Sequence, residues 1–375
     1  MAASRGRSRP GAAAATGTAT LSQVASRAGV SPATASRVLH GSGARAVSDE
    51  LRTRVLAAAA ELRYISNGPA QALARASTDT VGLVVHDVAD PYFSAIAAGA
   101  MRVARAHGLM VMVAATFRDR ELELEYLARL RAQRARAVLL AGSAFVGGPG
   151  AGRAGAGDYT ARLAAEIEAF ERQGGRVAVI GPHGVPVDTV EPDNHGGAAG
   201  AIRHLWDLGH RHIAVLCGPR GLATVARRLD GARDALRELG GALPDRLVAE
   251  ADFTREGGRA AALRLLREAP EATAILALND LMAAGALAAA RDELRLSVPG
   301  ELSVVGFDDL PQAADLNPAL TTVRLPLEQI GESALRLILE DQAAVGDGAP
   351  APRTVLIPAT LVVRASTAAP RVAAV

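Results

Sequence analysis

Small and polar side chains surround a single arginine on the outward face of a short predicted helix near the start of the chain. This face comprises Ser31, Ala33, Thr34, Ser36 and Arg37. Small side chains permit a close approach to the major groove of a DNA duplex, a guanidinium can donate two hydrogen bonds to guanine, and hydroxyls suit phosphates. A helix that merely faces solvent would more often carry long glutamate and arginine side chains. The face therefore has the chemistry of a DNA contact.

Two short helices joined by a glycine position this face. Thr20 and Gln23 have the spacing of a capping box, which predicts a helix over residues 21–28. Gly29 interrupts that helix. A serine followed by a proline then starts a second helix over residues 32–39, because serine favours the N-cap and proline the first helical position.

A third helix completes the predicted head. Ser48 is its predicted N-cap, Asp49 and Glu50 suit the dipole of its first turn, and it ends near Tyr64. The side chains predicted to face inward are Leu21, Val24, Ala25, Val30, Ala35, Val38, Leu39, Leu51, Val55, Ala58, Ala59 and Leu62. Two helices joined by a tight turn and closed by a third form a helix-turn-helix unit.

Positive charge is concentrated at the same end of the chain. Residues 1–78 contain ten arginines and three acids, whereas the rest of the chain contains 31 arginines and 36 acids. A basic head on an acidic body suits a polyanion-binding head, although a solubilising basic tail would give the same balance. Residues 1–18 are arginine, glycine, alanine and serine without a period, which predicts disorder.

Beyond residue 80 the pattern changes to alternating strands and helices. The predicted strands are 81–86, 109–114, 137–141, 176–180, 212–216, 246–250, 273–277 and 302–306. The predicted helices are 92–107, 120–134, 160–173, 195–208, 225–239, 256–268 and 280–294. Such alternation predicts parallel sheets covered on both faces. The length of this region favours two lobes, with a ligand between them near the carboxyl ends of the strands.

Several classes of protein are disfavoured. The single Cys217 excludes an internal disulfide and a CxxC metal pair, and we expect it to be buried. No run of about 18 apolar residues predicts a membrane span, and residues 1–20 lack the apolar core of a signal peptide. We therefore expect a cytoplasmic protein.

Two motif-like signals carry little weight. Residues 150–155 read GAGRAG, but they lie in a stretch of glycine, alanine and proline rather than between a first strand and its helix, which predicts a surface insertion without a dinucleotide. His204, His210 and His212 lack a cysteine or acid at metal-ligand spacing. Since GxSxG and HExxH are also absent, we expect no enzymatic activity, metal or cofactor.

The head resembles the helix-turn-helix of the lac repressor (LacI/GalR) family. The similar stretches are TLSQVASRAGVSPATASRVLHG, residues 20–41, and ELRYISNGPAQALA, residues 61–74. The resemblance implies DNA contacts by Thr20, Ser31, Pro32, Ala33, Thr34, Ser36, Arg37, Asn67 and Leu73. It also implies a hinge helix whose Leu73 wedges into the minor groove, where an apolar side chain kinks the duplex. Pro32 and Ala33 occupy positions that read bases in the family, so readout there would be apolar.

The body resembles the same family along its length, and this implies a periplasmic sugar-binding-protein fold with two Rossmann-like lobes and three crossovers. The similar segments are DPYF (90–93), LWDLGHRHIAVLCGP (205–219), RLDG (228–231), ALNDLMAAGAL (277–287), VPGELSVVGFDD (298–309) and PALTTVRLP (318–326). The predicted divisions are a tail over 1–18, the helix-turn-helix over 19–65, the hinge over 66–78, the two-lobed domain over 79–365 and a tail over 366–375.

The family's effector site can be carried over residue by residue. The positions that match are Phe93, Thr224, Arg228, Phe253, Asn279 and Asp308. In this set an arginine and a carboxylate clamp hydroxyls while aromatic faces cover C–H groups of a sugar. A structural ion pair between Arg228 and Asp308 across the lobes is the alternative. The family's second sugar-contacting acid, near Ile180, has no clear equivalent, and we expect the nearby His183 to be an exposed loop residue.

The resemblance implies a homodimer that binds palindromic operator DNA and responds to a small molecule. The first expectation is a repressor that a sugar-type inducer releases from the operator. The second is the same fold with a nucleoside or purine as its effector. A solute-binding protein of a transporter shares the body fold but needs no DNA-binding head. A nicotinamide-dependent oxidoreductase is suggested only by the parallel α/β pattern and GAGRAG.

Overall fold

A computed structural model describes residues 19–40, 47–64, 77–142, 153–339 and 351–371. The chain divides into two compact units, residues 1–75 and residues 76–375. None of the helices in these described ranges is long and apolar enough to cross a membrane.

The first unit contains three helices: α1 (Leu21–Ala28), α2 (Pro32–His40) and α3 (Asp49–Glu61). The predicted capping box is confirmed, because Thr20 Oγ1 accepts from the Gln23 amide at 3.3 Å and Gln23 Oε1 accepts from the Thr20 amide at 2.7 Å. Gly29 ends α1 with a φ of 65°, a conformation that glycine adopts at little cost. The Thr34 amide donates to Ser31 Oγ at 3.1 Å, which confirms Ser31 as the N-cap of α2.

The third helix begins where predicted, but its cap differs. Ser48 occupies the N-cap position without a side-chain capping bond, so Asp49 and Glu50 provide the favourable charge in the first turn. The fully buried core of this unit consists of Val24, Ala25, Ala28, Ala35, Val55 and Ala58. The guanidinium of Arg54 donates to the carbonyl of Ala28 and so ties α3 to the end of α1.

The second unit is built on twelve strands in the described ranges. They are β1 (Thr80–Val85), β2 (Met110–Ala115), β3 (Ala137–Ala141), β4 (Arg176–Ile180), β5 (Asp188–Pro192), β6 (Ile213–Cys217), β7 (Val248–Glu250), β8 (Ala274–Ala277), β9 (Ser303–Asp308), β10 (Thr321–Arg324), β11 (Thr354–Ile357) and β12 (Thr360–Val362). The helices are α4 (Pro91–Ala106), α5 (Arg120–Ala132), α6 (Arg153–Glu171), α7 (Asn194–Asp207), α8 (Ala223–Glu238), α9 (Arg255–Glu268), α10 (Asp280–Ala288) and α11 (Leu327–Leu339).

The strands form two six-stranded sheets, one in each lobe. The first lobe has the order β11-β5-β4-β3-β1-β2, and the second has the order β12-β10-β9-β8-β6-β7. β12 pairs antiparallel with β10, whereas the other pairings of the described strands are parallel. The chain crosses between the lobes after β5, after β10 and after β11. The predicted two-lobed parallel architecture with three crossovers is confirmed.

Several elements differ from the sequence-based prediction. Strands β5, β10, β11 and β12 were not predicted, because they have only three to five residues and little apolar patterning. Helix α6 begins at Arg153, inside the glycine-rich stretch predicted to be an irregular insertion.

The end of the chain is not the separate tail predicted from residue 366. Ser366 is fully buried, and its Oγ donates to the Val304 carbonyl at 2.6 Å. The Ala368 amide donates to Ser303 Oγ at 3.1 Å. The second lobe therefore includes these residues, and the predicted boundary at residue 365 is too early.

Helices α4 and α11 approach each other through glycines. A Cβ on Gly99 would lie 1.9 Å from the carbonyl oxygen of Glu328, and one on Gly331 would lie 2.0 Å from that of Ile96. These positions leave no room for even a methyl group. The two helices can therefore pack backbone against backbone beneath the first sheet.

We predict that Gly99→Ala destabilises the second unit by about 1–3 kcal/mol, because the added methyl forces the two helices apart. The control is Gly200→Ala in α7, where nothing lies within 4 Å of an added Cβ. That substitution should stabilise the helix by roughly 0.5–1 kcal/mol. Urea unfolding followed by the fluorescence of Trp206, the only tryptophan, measures both. Equal effects of the two substitutions would contradict the packing argument.

Candidate functional site

The face predicted to contact DNA lies on α2 and the turn before it. Thr20, Ser31, Pro32 and Ala33 are exposed, and Thr34, Ser36 and Arg37 are half-buried. Arg37 Nε donates to the Ala33 carbonyl at 3.3 Å, and the hydroxyls of Ser31 and Thr34 lie 2.9 Å apart. The structure thus gathers these seven residues on one small helical unit. The predicted contacts by Asn67 and Leu73 lie outside the described residues.

A cleft of about 590 Å³, open to solvent, lies between the two lobes of the second unit. The six residues predicted to bind an effector all line it: Phe93, Thr224, Arg228, Phe253, Asn279 and Asp308. They lie on helices or loops that follow β1, β6, β7 and β8, or at the end of β9 itself. Because the carboxyl ends of parallel strands meet at one edge of a sheet, residues distant in sequence converge there.

Arg228 is the most completely bonded side chain of the cleft. Its Nε donates to Asn194 Oδ1 at 2.8 Å, its Nη2 donates to Asp308 Oδ1 at 3.1 Å, and its Nη1 donates to the carbonyl of Leu278. Its Cζ lies 3.7 Å from the centroid of the Phe307 ring. Arg228 is 3% exposed and Asp308 is 4% exposed, so each charge requires the other.

The alternative of an ion pair across the lobes is therefore wrong in its geometry. Arg228 on α8 and Asp308 at the end of β9 both belong to the second lobe. The pair stabilises one lobe, and its two residues line the cleft as well.

Asp308 has an unusual backbone that aims its carboxylate into this network. Its φ is 107° and that of Asp309 is 55°, conformations that side chains other than glycine rarely adopt. Asp309 is anchored by Arg324 at 2.6 Å and by Arg364 at 2.7 Å. Burial raises the pKa of Asp308 well above its ordinary value, and the charge of Arg228 opposes that shift. Strained residues of this kind are concentrated at ligand sites.

Asn279 and Phe253 are linked to each other. Asn279 Oδ1 caps α10 by accepting from the Met282 amide at 2.8 Å, and its Nδ2 donates to the Phe253 carbonyl at 3.5 Å. The Phe253 ring occupies the space that a Cβ on Gly218 would need, with atoms 2.3 Å from that position. Asn279 therefore fixes the loop that presents the aromatic ring.

The first lobe contributes cleft residues that sequence analysis missed. They are His86, Asp90, Tyr92, Arg118, Gly142 and Gly181. Asp90 caps α4 by accepting from the Tyr92 amide at 2.9 Å, and Phe93 packs edge-on against both His86 and Tyr92. Burial, followed by the charges of Arg118 and His183, lowers the pKa of His86 to about 3, so its imidazole is neutral. The DPYF segment held the available signal for Asp90 and Tyr92.

Other predictions about individual residues have mixed outcomes. Cys217 is buried and free, as predicted. His183 is 5% exposed, so the prediction of an exposed loop histidine is wrong, because the loop folds back into the first lobe. His210 contacts the hydroxyls of Thr273 and Ser303 at 2.8 and 3.0 Å, which is a structural role. Within the described ranges, no three histidine, cysteine or acidic side chains are grouped as metal ligands.

Comparisons with known proteins agree with this architecture. Residues 20–67 match the model of bacterial regulatory proteins of the lacI family, and residues 202–367 match that of the periplasmic binding protein-like domain. The chain is 34% identical to the HTH-type transcriptional regulator GalR of Escherichia coli (strain K12), over 94% of this chain and 96% of that protein.

Two solved structures are similar over nearly the whole chain. The lac repressor dimer bound to operator and the anti-inducer ONPF has a TM-score of 0.78 and 28% identity, and the match covers 94% of this chain and 100% of that one. A complex of the transcriptional regulator CelR with cellobiose has a TM-score of 0.66 and 31% identity, over 93% of this chain and 99% of that one.

We predict that Asp280, beneath the cleft, makes stability depend on pH. Burial, only partly offset by hydrogen bonds from Thr322 and Leu310, raises the pKa of Asp280 from 3.8 to about 7. Between these values the folded protein keeps a proton that the unfolded chain has released, so stability contributed by this group is lost as the pH rises. Asp280→Asn has no such proton. Its free energy of unfolding, measured in urea at several pH values, should fall less steeply from pH 3.8 to about 7. Parallel profiles for the parent protein and the variant would contradict this assignment.

Proposed function

The chain belongs to the lacI family of bacterial regulatory proteins, and we propose that it is a repressor that binds a palindromic operator as a homodimer and releases it when a sugar-type effector occupies the cleft. The observation that carries the proposal is the presence, in one chain, of a small polar helix-turn-helix face and a cleft lined by a buried arginine–aspartate pair and two phenylalanines.

The helix-turn-helix face supports operator recognition. Ser31, Pro32 and Ala33 at the start of α2 are exposed and small, so the helix can approach base edges closely. Arg37 lies one turn further along, and its Nε donates to the Ala33 carbonyl of its own helix at 3.3 Å. Its guanidinium can exchange that contact for guanine. One such head makes few contacts, so specific affinity requires two heads on two half-sites.

The exposed apolar edge of the first sheet is evidence for the proposed homodimer. β2 is the last strand of its sheet, and Met110 and Met112 on it are 65% and 42% exposed. The central strands β1, β3 and β4 are almost entirely buried. An apolar edge strand is a surface that a second copy can cover, and it is a liability when it stays uncovered. The similar lac repressor structure is a dimer.

The cleft supports a polyhydroxylated effector. Thr224, Asn279 and Asp308 offer hydroxyl, amide and carboxyl groups, while Phe93 and Phe253 offer aromatic surfaces for C–H groups. The similar CelR structure holds cellobiose.

The coupling between effector and operator requires only a difference in affinity. An effector that contacts both lobes binds best to one lobe arrangement, and it shifts the population toward that arrangement by its differential affinity. If the operator-binding dimer prefers the other arrangement, effector binding weakens operator binding by the same factor. No direct contact between effector and DNA is needed.

We predict that Arg37→Ala weakens binding to the specific operator by about 1–3 kcal/mol and relaxes base preference at one position of each half-site. The matched control is Arg172→Ala, which removes one exposed positive charge from the body. Gel shifts on an operator selected from random duplexes, and on a scrambled version of it, measure both variants. Equal losses on the two duplexes would show that Arg37 contacts the backbone rather than a base.

We predict that Asp308→Ala destabilises the second unit and abolishes release of the operator by the effector, while the folded protein still binds the operator. The substitution removes a cleft carboxylate and leaves Arg228 without its charged partner. The control is Asp292→Ala, which breaks an exposed pair with Arg291 at a residue that does not line the cleft. Fluorescence anisotropy of labelled operator, titrated with a panel of sugars and nucleosides, gives both affinities. An Asp308→Ala protein that releases operator at the parent's effector concentration would show that the cleft assignment is wrong.

A further inference from the structure

Arg118 is held at the mouth of the cleft by an unusual backbone. It follows β2 in the first lobe, and the φ values of Phe117 and Arg118 are 51° and 65°. The Phe117 amide donates to the His86 carbonyl at 2.8 Å, which fixes the turn against the loop after β1. Two successive residues in the left-handed region are strained, and such strain is retained where a side chain must be aimed.

The guanidinium of Arg118 faces the opposite lobe. Its Cζ lies 5.9 Å from the centroid of the Phe253 ring. Arg118 lines the cleft and also an adjoining outer chamber, whose charged lining comprises Arg118, Arg255 and the acids Asp87, Asp90 and Glu256. The side chain therefore stands at the junction of the two spaces.

Arg118 differs from Arg228 in its bonding. Arg228 donates from three nitrogens to protein acceptors, whereas Arg118 Nε is buried and has no hydrogen-bond partner among the described residues. An unsatisfied buried donor destabilises the folded protein, and a charged donor does so more strongly than a neutral one. An acceptor from outside the chain would remove that destabilisation.

The nearby acids do not supply this acceptor. Asp87 caps the Ala89 amide, Asp90 caps the Tyr92 amide and Asp119 caps the Glu121 amide, each at 2.9 Å. In the described part of the chain, none of these three carboxylates forms an ion pair with Arg118. The neighbouring imidazole of His86 is neutral and brings no negative charge. Among the described residues Arg118 therefore forms no ion pair, although its charge acts on the nearby Asp90 carboxyl, where it opposes the rise in pKa that burial causes.

We propose that the effector carries an oxyanion, either a carboxylate or a phosphate, which Arg118 binds at the junction of cleft and outer chamber. The inference rests on the proposed function and specifies its ligand: a sugar acid or a sugar phosphate rather than a neutral sugar. The hydroxyl-bearing part of the molecule lies against Arg228 and Asp308, and the anionic group lies against the guanidinium of Arg118. A planar guanidinium suits both anions, because it donates two parallel hydrogen bonds to a pair of oxygens.

Calorimetric titration of the full-length protein tests this with matched probes. The probes are glucose, glucuronate and glucose 6-phosphate, together with galactose, galacturonate and galactose 6-phosphate. Inorganic phosphate is the probe without a sugar. We expect one anionic sugar to bind about tenfold or more tightly than its neutral counterpart, since a charged hydrogen bond contributes about 1.5–3 kcal/mol. Whether the acid or the phosphate ester binds more tightly identifies the source of the oxyanion.

Variants assign the preference to one side chain. Arg118→Gln should weaken binding of the anionic sugar much more than binding of the neutral sugar, so that the preference for the anionic sugar is lost. Arg120→Gln is the control, because Arg120 lies two residues away and stacks over Tyr159, with Cζ 5.1 Å from that ring's centroid. It should keep the parent's preference.

Three results would overturn the inference: neutral sugars that bind at least as tightly as anionic ones, a preference that survives Arg118→Gln, or no binding of any anionic probe. If Arg118→Gln weakens neutral and anionic sugars equally, Arg118 only holds the lobes together through Phe253, and the inference is also wrong. Operator gel shifts on the same preparations separate these results from failure of the proposed function. If the protein binds operator and a neutral sugar releases it, the proposed repressor function is correct and the proposal of an anionic effector is wrong.

Discussion

The buried pair of Arg228 and Asp308 is the constraint on which the second unit depends. Two charges that are at most 4% exposed are tolerated only when each nitrogen and oxygen finds a partner, and removing one partner of such a pair typically costs about 3–5 kcal/mol. Arg228 meets this requirement by bonding to Asn194, to the carbonyl of Leu278 and to Asp308. Three segments far apart in sequence are thereby fixed at one edge of a sheet.

The same network reaches the first crossover between the lobes. Asn194 Nδ2 donates to the carbonyl of Pro192, the last residue of β5 in the first lobe, at 3.1 Å. Its Oδ1 accepts from Arg228 in the second lobe. A hydrogen-bonded path therefore leads from the strand that ends one lobe to the carboxylate at the cleft of the other. A ligand that changes the bonding of Asp308 acts on a group already connected to a crossover.

The scarcity of aromatic residues makes their placement informative. Four of the six phenylalanines lie at the cleft: Phe93 and Phe253 line it, Phe117 lies at the outer chamber and Phe307 packs beneath Arg228. Glycine instead allows close helix packing at α4 and α11, through Gly99 and Gly331. Large rings are thus concentrated where a ligand needs flat apolar surface, and the core is filled mainly by leucine, isoleucine, valine and alanine side chains.

Local patterns were sufficient to predict most of the fold. Capping residues and apolar periodicity predicted the bounds of α1 and α2 to within one residue. Buried apolar runs predicted the bounds of β3 and β4. The strands missed, such as β5 and β12, are short, and pairing with distant strands rather than their own sequence makes them strands.

The second lobe's side of the cleft was predictable, whereas the first lobe's side was largely not. Arg228, Asn279 and Asp308 occur in segments whose similarity to a known family marks them out. His86 and Arg118 follow strands β1 and β2 in loops that resemble any other polar loop in sequence. Only tertiary structure shows that both reach the same cleft, and only the absence of an acceptor near Arg118 Nε in the described residues shows that one of them is unsatisfied.

The two arginines of the cleft therefore have different physical roles. Arg228 is bonded before any ligand arrives, so a ligand gains little by binding it directly and more by bonding to the partners that it orients. Arg118 belongs to the other lobe and contacts Phe253 across the cleft. A ligand that satisfies Arg118 while its remainder lies against Asp308 would contact both lobes at once. Such a ligand discriminates between lobe arrangements, which binding to a single lobe cannot do.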